Sequence, residues 1–258
     1  MRGEVVAGAL LSLLAAGVAA GVVKTASVRQ AQRDARIARS IRVTREDSAR
    51  GVMRKEVVSS GHGQSTPPEE LRRRVGLLAP GTYVTDILTQ QDSVLFRWPE
   101  RLLDAVRVYV EPTSAVSDWS LEYPLMARSV FDEWALAGFP LRFAFVFDSA
   151  GADIAIRWVE RFPSKAGQRI GETERIHTSA SLIANARVLV ANHDSSGRVL
   201  KPDVVAGIIR HEVGHALGLN HANDSASVMY RESASWAISS SDRATLRLLY
   251  LVPAGSLK

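Results

Sequence analysis

The chain has 258 residues, enough for one substantial domain with additions, and its 46% hydrophobic and 23% charged content is ordinary for a globular protein. It contains no cysteine, which excludes disulfides, thiolate catalysis and cysteine-ligated metals. The net charge of +5 is unevenly spread: residues 24–56 hold ten basic and four acidic side chains, residues 1–23 sum to zero, and residues 57–258 therefore sum to −1. That larger part lacks the electrostatic footprint of a nucleic-acid binder, so no nucleic-acid partner is expected.

Residues 5–23 form an uncharged run of Ala, Val, Leu, Gly and one Ser. Two readings fit its length: a signal peptide cleaved after Ala20, or an uncleaved anchor. The basic flank that follows would favour the cytoplasmic side for an anchor, but an extracytoplasmic location, secreted or held at the membrane, is expected. The basic stretch behind it reads as a solvated juxtamembrane helix, with contact to anionic headgroups as the sharper alternative. Residues 59–68, rich in Ser, Gly and Pro, read as a linker that ends this region near residue 70. Residues 71–106 then form a lead-in or a pro-like segment. Within it, Ala79-Pro80-Gly81-Thr82 marks a turn, residues 83–91 a short helix and residues 93–97 a strand-like run.

The main domain is expected over residues 107–253. Strands are read at 107–110, 141–147, 153–159 and 187–191, with a helix at 118–137 that Asp118 could cap, although Pro124 suggests that the regular helix starts there. Residues 160–180 must hold a long loop and a strand. Asn192-His193-Asp194 is turn-rich, so His193 and Asp194 are read first as exposed loop residues, and His177 likewise. Metal binding is the minor reading for all three.

The chemistry concentrates in His211-Glu212-Val213-Gly214-His215-Ala216-Leu217-Gly218-Leu219-Asn220-His221, a pattern expected by chance on the order of 10⁻⁵ times per chain of this composition. On a helix starting at Pro202 or Asp203, His211 and His215 lie one turn apart on one face, so both imidazoles can reach one ion. Glu212 is rotated about 100° from the first ligand, within reach of a water on that ion without ligating it. Gly218 stops the helix and lets the chain turn back to present His221. Three imidazoles and a water make an open, catalytic type of zinc site.

These residues resemble those of a metzincin metalloprotease, and within that group the matrixins. Ser227-Val228-Met229-Tyr230, eight residues beyond His221 at the methionine, resembles the family's Met-turn. The resemblance extends upstream to the strands at 107–110, 141–146 and 152–158 and downstream to a helix at 241–250. It implies an α+β, zincin-like catalytic domain: a twisted, mostly parallel sheet of about five strands, three main helices, an active-site helix, a Met-turn and a C-terminal helix. It further implies one catalytic zinc on His211, His215 and His221, Glu212 as general base, and Met229 as an apolar floor.

An edge strand within residues 170–180 would pair with an extended peptide substrate. The pocket for its side chain would lie between residues 231 and 239, with Tyr230 and Trp236 as candidate lining; Trp236 could equally plug the core. The family's propeptide cysteine and its structural-zinc loop are not recognisable. Calcium, through Asp148 and Asp153, has no clear motif. The expected function is a zinc-dependent endopeptidase. The alternatives are a membrane-tethered binding domain that keeps zinc for stability and a zinc amidohydrolase acting on a non-peptide substrate. Nothing in the sequence speaks to oligomeric state.

Overall fold

The computed structural model describes residues 55–56, 67–100, 104–163, 169–232 and 236–258. In chain order these form β1 (Lys55–Glu56), α1 (Pro68–Leu78), α2 (Val84–Gln90), β2 (Val94–Leu95), β3 (Val106–Val110), α3 (Glu122–Ala135), β4 (Phe143–Val146), β5 (Ile154–Val159), β6 (Gly171–His177), β7 (Ile183–Ala191), α4 (Pro202–Ala216), α5 (Ser240–Leu251) and β8 (Gly255–Ser256). The uncharged run at 5–23 and nearly all of the basic stretch lie outside the described residues. Among the described residues, no helix is long and apolar enough to cross a membrane.

The main sheet runs β1-β6-β7-β5-β3-β4. Its pairings are parallel except for the antiparallel pair of β6 and β7. The α+β architecture with a mostly parallel sheet is therefore as expected. Strand β3 alternates buried Val106, Val108 and Val110 with half-exposed Arg107 and Tyr109, as a sheet covered on one face requires. On β5, Ile154, Ile156 and Trp158 turn the same way. Helix α4 packs against α3 and lies against β6 and β7. Its interior, Val205, Ile208, Ile209 and Val213, is buried in one continuous core.

Three local differences from the sequence reading have physical causes. Helix α3 starts at Glu122, not at Asp118, with Pro124 inside its first turn. Asp118 instead sits at φ 55° and its carboxylate meets His193 Nε2 at 3.1 Å. His193 is accordingly buried, not an exposed loop residue, and its Nδ1 meets Asn192 Oδ1 at 2.8 Å. At the N-terminal side, α1 begins at Pro68, within the stretch read as linker, and buries Leu71 and Val75. A proline at the first helical position loses no hydrogen bond, and Glu70 pairs there with Arg73 and Arg74. Strand β8, which gave no sequence signal, pairs antiparallel with β2.

Candidate metal centre

Helix α4 carries the first two histidines and the turn after it carries the third. Gly218 holds φ 115°, and a β-carbon there would fall 2.6 Å from the Phe96 carbonyl oxygen. The helix end is buried, and its last carbonyls find side-chain donors. Arg175 Nη1 donates to His215 O at 3.2 Å, Trp98 Nε1 to Ala216 O at 2.9 Å and Tyr250 Oη to Leu217 O at 2.9 Å.

One ring nitrogen from each of His211, His215 and His221 lies within 4.8 Å of the other two. His211 Nδ1 faces the Val228 carbonyl at 2.7 Å and His215 Nδ1 faces the Leu219 carbonyl at 2.9 Å. A carbonyl only accepts, so each Nδ1 carries the proton and each Nε2 presents a lone pair. These two Nε2 atoms face each other at 3.1 Å. Two lone pairs at that distance repel unless a cation lies between them. Two ligands about 2.0–2.1 Å from one tetrahedral zinc would stand roughly 3.3 Å apart, close to the observed spacing.

Protonation is the competing remedy, and the surroundings oppose it. Burial lowers the pKa of His211 and drives that of His215 well below its ordinary value, with His211 and His221 adding repulsion at His215. Burial, followed by the charges of His211, Arg231 and Arg175, takes His221 down to about 3. The donor set is thus neutral, convergent and suited to a borderline-soft divalent ion.

Glu212 is buried beside this cluster and turned toward β6. Thr173 Oγ1 lies 2.7 Å from Glu212 Oε2 and 3.0 Å from the Glu212 carbonyl oxygen. A β-carbon at Gly171 would collide with the Glu212 carboxyl group, so only glycine lets β6 pass this close. Burial raises the Glu212 pKa to about 7, against the opposing donation from Thr173. Neither Gly171 nor Thr173 was singled out in the sequence. Their alternation on β6 was the only available signal, and it does not say what the strand passes over.

Met229 is fully buried, and a β-carbon at Gly214 would strike its Sδ and the Trp134 ring. The methionine therefore lies directly under the turn of α4 that joins the two histidines. The turn at residues 227–230 is anchored to α5 by the buried Asp242. Val228 N–H donates to Asp242 Oδ2 at 3.0 Å, Ser239 N–H donates to the same oxygen at 2.7 Å, and the Ser227 hydroxyl donates to Oδ1. Since the Val228 carbonyl holds His211, the N-terminus of α5 is linked to the first histidine through the single residue Val228. Tyr230 follows on the same turn, half buried, and bridges to Ala222. Trp236 packs onto α4 where a β-carbon at Gly207 would collide with it, one turn before His211, and its carbonyl accepts from Arg210 Nη1 at 3.3 Å. Its indole thus covers the helix.

The family model for Matrixin matches residues 119–251, just over half of the chain. The chain belongs to the matrixin family. Matrixins are zinc-dependent peptidases, so this chain is a metallopeptidase in its general class. Helices α3, α4 and α5 and strands β4 to β7 all fall within the matched matrixin residues, whereas α1, α2 and β3 precede them. No curated protein matches this matrixin.

Proposed function

We propose that the chain is a zinc endopeptidase in which His211, His215 and His221 hold one catalytic zinc and Glu212 is the general base. The observation that carries this reading is the pair of facing Nε2 lone pairs on His211 and His215, with Glu212 buried next to them and held by Thr173. Zinc, when bound, polarises a substrate carbonyl and acidifies a water. Glu212 accepts a proton from the attacking water and returns it to the leaving amine. The Thr173 hydroxyl donates to the carboxylate and orients it, and burial keeps its basicity near neutral pH. Burying an ionisable carboxyl costs stability, and a binding domain that used zinc only as a staple would gain nothing from that cost. Glu212 therefore favours catalysis over the binding-domain reading.

The substrate is a peptide or protein in extended form, paired along the outer edge of β6. Strand β1 runs parallel to that edge at Ile176 and His177, so the peptide uses the part nearer Gly171. Tyr230 and Trp236 border the pocket for its side chain. The apolar run at 5–23 supports action outside the cytoplasm, on a catalytic domain of residues 107–253 that α1 and α2 buttress. The test is Glu212→Ala: zinc content stays near one per chain while cleavage of a denatured protein substrate is lost. Cleavage at the wild-type rate would overturn the role of Glu212.

A further inference from the structure

The three histidines are not supported equally. His211 and His215 each have Nδ1 tied to a backbone carbonyl. Among the described residues, no comparable bond holds the His221 ring. Its direction must then come from its backbone, which is gripped from two sides.

From the sheet, the Arg175 guanidinium reaches across the loop. Nη1 donates to His215 O at 3.2 Å and lies 3.4 Å from Leu219 O, and Nη2 donates to Asn220 Oδ1 at 2.7 Å. All three acceptors are neutral, and two lie at the negative end of α4, where a cation is favoured. From the other side, α2 presents Asp86 and Gln90 one turn apart. Gln90 Nε2 donates to the His221 carbonyl at 2.7 Å. Asp86 accepts from the Asn223 backbone N–H and from Asn223 Nδ2, both at 2.9 Å. Gln91, at the end of the same helix, touches Asn220 Oδ1 at 2.8 Å. Residues 219, 220, 221 and 223 are thus each held. Helix α2 lies outside the residues matched by the family, so this support comes from the lead-in of this chain.

We propose that Arg175 and the Asp86–Gln90 face of α2 form a clamp that positions His221 as the third metal ligand, a role that rests on the zinc reading of the cluster. Both parts act through the loop backbone and are positioning residues.

The experiment uses the full chain, without substrate. Zinc affinity is measured by competition with a chromophoric chelator, the visible absorption of the cobalt(II) form is recorded, and the metal-free proteins are melted. Gln90 is exposed and Asp86 half-buried, and neither belongs to the core, so the double variant Asp86→Ala/Gln90→Ala tests the clamp without opening the core. Its zinc Kd should rise about 10-fold, with weakened cobalt bands and an unchanged metal-free melting curve. Arg175→Met should raise the Kd by roughly 10- to 100-fold. A double variant with wild-type zinc affinity and a wild-type cobalt spectrum would overturn the clamp and leave the zinc reading standing. A wild-type affinity that does not change in His221→Ala would instead sink three-histidine ligation, and the clamp with it.

Discussion

At the scale of single residues, the site is shaped as much by its glycines as by its histidines. Gly214 makes room for Met229 and Trp134, and Gly171 makes room for the Glu212 carboxyl. Gly214→Ala should therefore cost about 1–3 kcal/mol of stability by overpacking, read from a denaturation midpoint, and a midpoint at the wild-type value would contradict the close approach. Thr173 tests orientation rather than space. Thr173→Val keeps the shape but removes the donor to Glu212, so kcat should fall while KM and zinc content hold. Restoration by Thr173→Ser would identify the hydroxyl as the cause. The histidine and glutamate positions were legible from the sequence because their geometry is local, fixed by helix pitch and one glycine. Arg175, Gln90 and Thr173 were not legible, since each meets the motif across a gap no periodicity records; Gln90 and His221 are 131 positions apart.

At the scale of elements, α4 is the part whose stability should report on pH. In the metal-free protein the three histidines are held below their ordinary pKa of 6.5, His221 at about 3, while Glu212 is raised from 4.5 to about 7. The unfolded chain then binds more protons at the histidines, so their contribution is full above pH 6.5 and is lost as the pH falls toward 3. Glu212 works the other way: its contribution is full below pH 4.5 and is lost as the pH rises through 7. The two slopes oppose each other between pH 4.5 and 6.5. Chelator-treated Glu212→Gln should accordingly gain stability with pH more steeply than the wild type across that window, by urea midpoint. A shallower slope would contradict the burial of Glu212. The same elements show where sequence reading was partial. Strand β3 was legible as a short apolar run and helix α5 only through the family resemblance, whereas β8 pairs only two residues with β2 and left no pattern. His193 looked like a loop residue because its neighbours favour turns; its burial depends on Asp118, 75 positions earlier.

At the scale of the whole molecule, the chain joins a near-neutral matrixin domain to a basic N-terminal stretch, and helix α2 of the lead-in completes the support of the motif. Zinc that binds only the folded state should raise the melting temperature in a concentration-dependent way. The rise should vanish in His211→Ala, and its persistence there would argue for a different ion site. The central claim is that these residues make a zinc-dependent endopeptidase. Its most direct test is digestion of a denatured protein mixture by the full chain, with chelator, with zinc restored, and with zinc-loaded Glu212→Ala in parallel. Cleavage that stops with chelator, returns with zinc and falls by roughly 10²-fold or more in the variant is the predicted result. Cleavage that persists in chelator, or that is undiminished in Glu212→Ala, would contradict it.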